Sequence, residues 1–186
     1  MDDERRRDSN MNMNLNGKRI LVLTDNYFEE SEVIYTIYRL REEEAEVVVA
    51  APGKSPLTGK NHMHPFPVDA SVDNISSESF DGVVIPGGFA PDLLRRSGRV
   101  LDLVREFNEQ EKPIAAVCHG GWVLISAGIV NGRKATSVSA IRDDMVNAGV
   151  NFLDEPVVVD SNLITSRVPA DMGPWMKAVI KAFIER

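Results

Sequence analysis

Among 186 residues there is one cysteine, Cys118. A thiolate is the most reactive nucleophile that an ordinary side chain offers near neutral pH. Cys118 ends a short apolar run, Ile114-Ala115-Ala116-Val117, and precedes His119-Gly120-Gly121. A second apolar run, Trp122 to Ala127, follows at once and stops at Gly128. Small residues, Ala116 and Gly120, sit two positions to either side of the thiol. This is the spacing of a nucleophile elbow, a strand-to-helix turn so tight that only small side chains fit beside the nucleophile. The start of a helix favours negative charge, so thiolate character is expected. The competing reading is a buried cysteine acting as a small hydrophobe.

Two other turns carry groups that would serve such a thiol. Gly87-Gly88 permits a close backbone approach, and with the N–H of His119 it forms a candidate oxyanion hole. Glu29 and Glu30 follow Phe28, and a carboxyl pressed into a partly apolar turn has its pKa raised and can donate to sulfur. Periodicity does not choose between them. Cysteine nucleophiles commonly work with a histidine base. The chain has His62, His64 and His119, and none lies downstream of His119. That removes the late histidine on which class I glutamine amidotransferases and cysteine α/β-hydrolases depend. His119 remains, with an acid to be found elsewhere in the chain or on a neighbouring subunit. His62 and His64 would share one face of a strand, but they have no evident third ligand, so no metal site is assigned.

These turns need a scaffold. The length suits one domain. Hydrophobic residues make up 43% and charged residues 26%, as in ordinary globular proteins. A net charge of −7 argues against nucleic acid as the main partner. No apolar run approaches the ~20 residues of a membrane span. A lone cysteine fits a reducing, cytoplasmic setting. Residues 1–17 are polar and Asn-rich and read as a flexible tail, with a single domain over 18–186. Apolar runs at 18–24, 46–51, 81–86 and 113–117 read as buried strands. Further short strands are expected at 134–138, 156–160 and 163–166, with an antiparallel excursion at 62–68. Helical spacing marks 31–43, 99–110, 122–128, 141–148 and 169–185, with a short helix at 92–96. Alternating strands and helices specify an α/β sandwich with a mainly parallel sheet. Sites in such sheets lie beyond the carboxyl ends of the strands. The turns at 25–30, 87–92 and 118–121 all meet that condition.

Over residues 18–184 the chain resembles the PfpI family of the ThiJ/DJ-1/PfpI superfamily. The resemblance is carried by Phe28-Glu29, Pro86-Gly87-Gly88 with Ala90-Pro91, Ala116-Val117-Cys118-His119-Gly120, Ile125-Ser126-Ala127-Gly128, Arg142-Asp143-Asp144-Met145 and Ser166-Arg167-Val168-Pro169-Ala170-Asp171. It implies a flavodoxin-like three-layer sandwich, Cys118 as nucleophile, Glu29 as the acid beside it and His119 as base or orienting partner. It also implies an intersubunit acid after the Gly-Gly turn. Asp92 occupies that position and is one methylene shorter than the family's usual Glu. Homodimers or hexamers are implied as well. The expected activity is cofactor-free attack on a small reactive carbonyl, of glyoxalase III or deglycase type. An ATP-independent intracellular peptidase acting on peptides is the alternative, and a redox sensor or chaperone is the non-enzymatic one.

Overall fold

The computed structural model describes residues 14–53 and 56–186. Seven strands form one sheet in the order β3-β2-β1-β4-β5-β9-β8. They are β1 (Arg19–Leu23), β2 (Glu46–Ala51), β3 (Ala70–Ser71), β4 (Gly82–Ile85), β5 (Ile114–Val117), β8 (Val157–Asp160) and β9 (Leu163–Ser166). All neighbours are parallel except β8 and β9. The helices are α1 (Glu30–Glu42), α2 (Ala90–Leu94), α3 (Gly98–Glu109), α4 (Gly121–Ala127), α5 (Arg142–Asn147) and α6 (Met172–Ile184). This is the flavodoxin-like α/β sandwich.

The layering follows from strand periodicity. In β1, Ile20 and Val22 face one side, and Leu21 and Leu23 the other. The first pair packs under α1 and α6, through Val33, Ile37 and Leu40 and through Trp175, Met176, Val179 and Phe183. The second pair packs under α3 and α4, through Val100, Leu103, Val104 and Phe107 and through Val123 and Leu124. A sheet covered on both faces explains why its central strands read as continuous apolar runs. The chain runs β1-β2-β3 in one direction and β4-β5 in the other. The sheet therefore reverses between β1 and β4, and the ends of β1, β4 and β5 lie side by side there.

Some expectations are corrected. Residues 14–17, expected to belong to a tail over 1–17, pack with the domain, because Leu15 is fully buried in the α1/α6 core. Its N–H donates to the Glu43 carbonyl at 2.5 Å, and Asn14 Nδ2 donates to Glu44 Oε2 at 2.7 Å. One leucine among asparagines has no period by which to recognise it. The remainder of that expectation, residues 1–13, lies outside the described residues. Leu15→Ala is expected to destabilise the fold by about 2–4 kcal/mol, the cost of truncating a buried leucine. At about 2–4 °C per kcal/mol the melting midpoint should fall by several degrees; an unchanged midpoint would place residues 14–17 outside the domain.

The strand expected at 134–138 ends early. Only Lys134–Ala135 (β6) pairs, in parallel, with Asn151–Phe152 (β7) in a separate two-stranded sheet. The N–H of Thr136 turns instead to Thr165 Oγ1 at 2.9 Å, and that of Val138 to the carbonyl of Cys118 at 3.5 Å. In the 62–68 excursion the pairing reduces to one antiparallel bridge between Leu57 and Phe66. Residues 169–171 form a 3₁₀ turn before α6 begins.

Candidate active site

The elbow forms as the spacing requires. Val117 closes β5 in extended geometry, and Cys118 then takes φ 59°, in the left-handed region. A non-glycine residue held there costs about 1–2 kcal/mol, so surrounding contacts must impose it. A 3₁₀ turn over Cys118–Gly120 leads directly into α4. A Cβ on Gly120 would lie 2.5 Å from the Ile85 carbonyl oxygen, which explains the small residue two positions after the thiol.

The carboxyl that faces the thiol is Glu32, not Glu29. Glu32 is fully buried in the first turn of α1, and its Oε2 accepts the Gly87 N–H at 2.6 Å. A Cβ on Gly87 would meet Cys118 Cβ at 2.7 Å and Glu32 Oε2 at 2.8 Å, so the glycine is the gap through which thiol and carboxyl approach. Glu32 Oε1 is buried with no hydrogen-bond partner among the described residues. An orphaned carboxyl oxygen beside a thiol is costly in a core and useful in a reaction centre. Burial raises the Glu32 pKa to about 7, against the opposing pull of the Gly87 N–H.

Glu29 points elsewhere. It caps α1, accepting from Ser31 Oγ at 2.7 Å, and it pairs with Lys60. Partial burial works upward on its pKa, but the hydrogen bonds from Lys60 and Ser31 prevail and hold it below the usual glutamate range. Glu30 is tied to Asn61, whose backbone N–H and side-chain amide donate to it at 2.6 and 2.8 Å.

The thiol differs from expectation too. Burial, followed by the negative charge of Glu32, pushes Cys118 up to about 12. The N–H groups of Gly88 and His119 oppose this but do not prevail. Cys118 therefore rests as a thiol, and the helix-start reasoning that promised thiolate is outweighed by desolvation. Of the three expected oxyanion donors, Gly88 and His119 have N–H groups that favour charge at the sulfur, whereas the Gly87 N–H is committed to Glu32.

His119 Nδ1 lies 3.3 Å from Cys118 Sγ. Its ring sits between Phe89, near-parallel at 6.4 Å between centroids, and Trp122 at 5.0 Å. Burial, then the charge of Lys60, lowers its pKa, so the imidazole is neutral at pH 7. No carboxylate hydrogen-bonds it among the described residues. Asp92, in the first turn of α2, pairs with Arg96, two residues beyond the end of that helix. Within one chain, then, Asp92 is not brought to His119. His62 N–H donates to the Gly59 carbonyl at 3.1 Å and His64 Nδ1 is 3.0 Å from Thr58 Oγ1, and no group of three candidate metal ligands occurs among the described residues.

Lys60, like Glu32, is a site residue that sequence reasoning missed. Residues 57–60, just before the 62–68 excursion, are strapped over the loop after β1. Tyr27 N–H donates to the Thr58 carbonyl at 2.6 Å, Thr58 N–H to Asn26 Oδ1 at 3.0 Å, and Lys60 N–H to the Phe28 carbonyl at 2.9 Å. The strap brings the Lys60 ammonium within electrostatic reach of Cys118, Glu32 and His119. A lysine following Thr58-Gly59 gives no sequence signal of this.

Known proteins resemble the chain closely. The DJ-1/PfpI family model matches residues 18–182. Deglycase PH1704 of Pyrococcus horikoshii is 45% identical over 163 residues, covering 88% of this chain and 98% of that protein. The crystal structure of Drosophila melanogaster DJ-1beta shares 30% identity with a TM-score of 0.84, covering 91% of both chains. A two-domain protein from Anabaena variabilis, with DJ-1/ThiJ/PfpI-like and ferritin-like domains, shares 39% identity with a TM-score of 0.86. That match covers 88% of this chain and 47% of the longer one.

Proposed function

The chain belongs to the DJ-1/PfpI family, and on that premise we propose that it is a cofactor-free, cysteine-dependent enzyme that removes methylglyoxal and its adducts, of deglycase or glyoxalase III type. The observation that carries the reading is the buried Glu32 carboxyl facing the Cys118 thiol, with one oxygen anchored by Gly87 and the other without a hydrogen-bond partner among the described residues. The name of the Pyrococcus horikoshii relative, a deglycase, supports it.

The chemistry starts from a thiol, not a thiolate. Ionised Glu32 takes the thiol proton as sulfur adds to the aldehyde carbon, and the Gly88 and His119 N–H groups favour the charge that develops on sulfur. Protonation of Glu32 also removes the negative charge that raised the thiol pKa, so the two groups act as one coupled acid. The new alkoxide takes the proton back and becomes a hemithioacetal. A proton then moves from C1 to C2 through an enediol, with Glu32 and neutral His119 as the available carriers. This leaves a lactoyl thioester. Water cleaves the thioester, releasing lactate and regenerating the thiol. A hemiaminal or hemithioacetal adduct enters one step earlier: its hydroxyl proton passes to the departing amine or thiol as the C–N or C–S bond breaks and the aldehyde re-forms, and sulfur then adds to that aldehyde. Oxidant and reductant are both internal: C1 is oxidised and C2 reduced.

This course needs no protonated histidine, because an adduct's amine leaves with the proton of its own hydroxyl. Peptide hydrolysis does, and the low pKa of His119 with no acid beside it disfavours that alternative. The redox-sensor reading is disfavoured by a thiol pushed up to about 12. A homo-oligomer belongs to the same proposal. Exposed Tyr27 and Phe89 flank the opening beside His119, where a second copy would be covered and could present its own Asp92. Purified protein is expected to convert methylglyoxal to lactate without glutathione, and Cys118→Ala to abolish this. Lactate production that survives the substitution, or its absence in the wild type, would remove the reading.

A further inference from the structure

A cavity of about 220 Å³ adjoins the elbow, lined by Ser137, Ser139, Arg142, Phe152, Asp154 and Arg167 among others. Two features place it beside Cys118. Val138, between the two lining serines, donates its N–H to the Cys118 carbonyl. Val117 and Ser166 are the last register partners of two adjacent parallel strands, and Cys118 and Arg167 are the residues that follow that pair.

The charges lining this cavity are not equally available. Arg167 is committed: its Nε donates to Asp171 Oδ2 at 2.9 Å and its Nη1 to Asp154 Oδ1 at 2.8 Å. The same contact occupies Asp154. Ser137 Oγ donates to the Val138 carbonyl at 3.1 Å. Arg142 is different. Its guanidinium lies over the Phe152 ring, 5.8 Å from the centroid, and has no hydrogen bond or ion pair among the described residues. The Ser139 hydroxyl is likewise without a partner and is exposed. A planar cation with free donors, held against an aromatic wall and next to a hydroxyl, matches a carboxylate.

We propose that this cavity is a carboxylate subsite of the reaction centre, in which Arg142 and Ser139 hold the acidic end of a substrate whose carbonyl carbon is presented to Cys118. The inference deepens the carbonyl-enzyme reading and rests on it for the identity of the substrate. The class selected is a carbonyl adduct carrying a carboxylate, such as methylglyoxal bound to a free amino acid, in preference to the corresponding amide.

The test does not require turnover. Alkylation rates of Cys118 by iodoacetate and by iodoacetamide are measured at one pH by intact-mass spectrometry. Their ratio cancels the ionisation of the thiol and reports only how the site treats the carboxylate. Arg142→Ala is expected to lower the iodoacetate-to-iodoacetamide ratio about tenfold, the order expected of one charge-assisted hydrogen bond. Arg142→Lys should keep much of the preference, and added salt should weaken it in the wild type. Melting midpoints of each variant exclude a ratio lost through unfolding. A ratio unchanged in folded Arg142→Ala overturns the proposal. So does a ratio that falls only in Lys60→Met, which would place the anion under the 57–61 strap instead. In a second measurement, the methylglyoxal hemithioacetals of N-acetylcysteine and N-acetylcysteine amide are compared as substrates. The acid should be preferred by the wild type and lose its advantage in Arg142→Ala. No turnover of either, with the alkylation ratio behaving as expected, would leave the subsite standing and remove the carbonyl reading.

Discussion

Glu32→Gln is expected to slow methylglyoxal consumption by ~10²–10⁴-fold, the usual scale for loss of a general acid–base group, while making the folded protein more stable above neutral pH. The two effects have one origin. Burial raises the Glu32 pKa from 4.5 to about 7. The folded state therefore binds this proton more tightly than the unfolded state. Between those values the folded chain keeps a proton that the unfolded chain has released. Stability contributed by this group is present at acid pH, falls as pH rises through that window, and stays lost above it. At 1.36 kcal/mol per unit the loss reaches up to about 3 kcal/mol. Glutamine has no proton to lose, so wild type and variant should differ most near pH 8 and least near pH 4. Activity moves the opposite way. The wild-type rate should rise through pH ~7 as Glu32 ionises and becomes able to accept the thiol proton, and the variant should show no such rise. Glu29→Gln is the control. It weakens a helix cap and the pairing with Lys60, so a stability cost of about 1 kcal/mol and a modest rate change are expected. Comparable rate losses in the two variants would return the acid role to Glu29. Melting curves at several pH values and lactate assays across pH read out every arm.

Gly88→Ala and Gly128→Ala should differ sharply although both glycines have left-handed backbone, with φ 78° and 76°. Each substitution incurs about 1–2 kcal/mol for an alanine in that region. Around Gly128, which ends α4, a Cβ meets nothing within 4 Å. There the cost should stop at roughly 1 kcal/mol, or about 2–4 °C in melting midpoint, with activity retained. A Cβ on Gly88 would be 2.6 Å from the Tyr27 oxygen and 2.6 Å from the Phe28 carbonyl carbon, and would also collide with the Glu29 nitrogen. These are backbone atoms of the loop after β1 and cannot rotate aside. That loop is also paired to Gly88 through an isolated bridge from Phe28. We expect Gly88→Ala to cost at least ~3 kcal/mol, or about 6–12 °C, and to lose activity, because the displaced segment leads into α1 and Glu32. Equal melting shifts for the two variants would show that the loop yields easily.

The architecture was legible because a sheet covered on both faces writes continuous apolar runs, and an elbow permits only small residues at fixed offsets from its nucleophile. The elbow positions of Cys118 and His119 were legible in this way. Glu32 was not, because three glutamates crowd the start of α1, Glu29 as its cap and Glu30 and Glu32 in its first turn, and a buried acid looks like any polar helix residue. A signal was nevertheless present. Glu32 and Thr36 are spaced i, i+4 and directly precede Val33 and Ile37, so both lie on the flank of the apolar stripe, and both are buried. The protonation state of Cys118 was misjudged for a different reason. Helix position is visible in a sequence, but the desolvation and the facing carboxylate that outweigh it are properties of the assembled fold. Lys60 likewise depends on a strap whose anchors, Asn26, Phe28 and Glu30, lie about thirty residues away.

The nucleophile strand also has a history on the way to the fold. β5 pairs on one side with β4, about thirty residues earlier, and on the other with β9, about fifty residues later. Until Leu163–Ser166 arrives, Ile-Ala-Ala-Val is an open, apolar sheet edge, and closing it means closing a long loop. Nascent or C-terminally shortened chains would therefore expose the most reactive end of the sheet as an aggregation-prone edge. Removal of that edge waits on one event, the docking of β9 with its antiparallel companion β8.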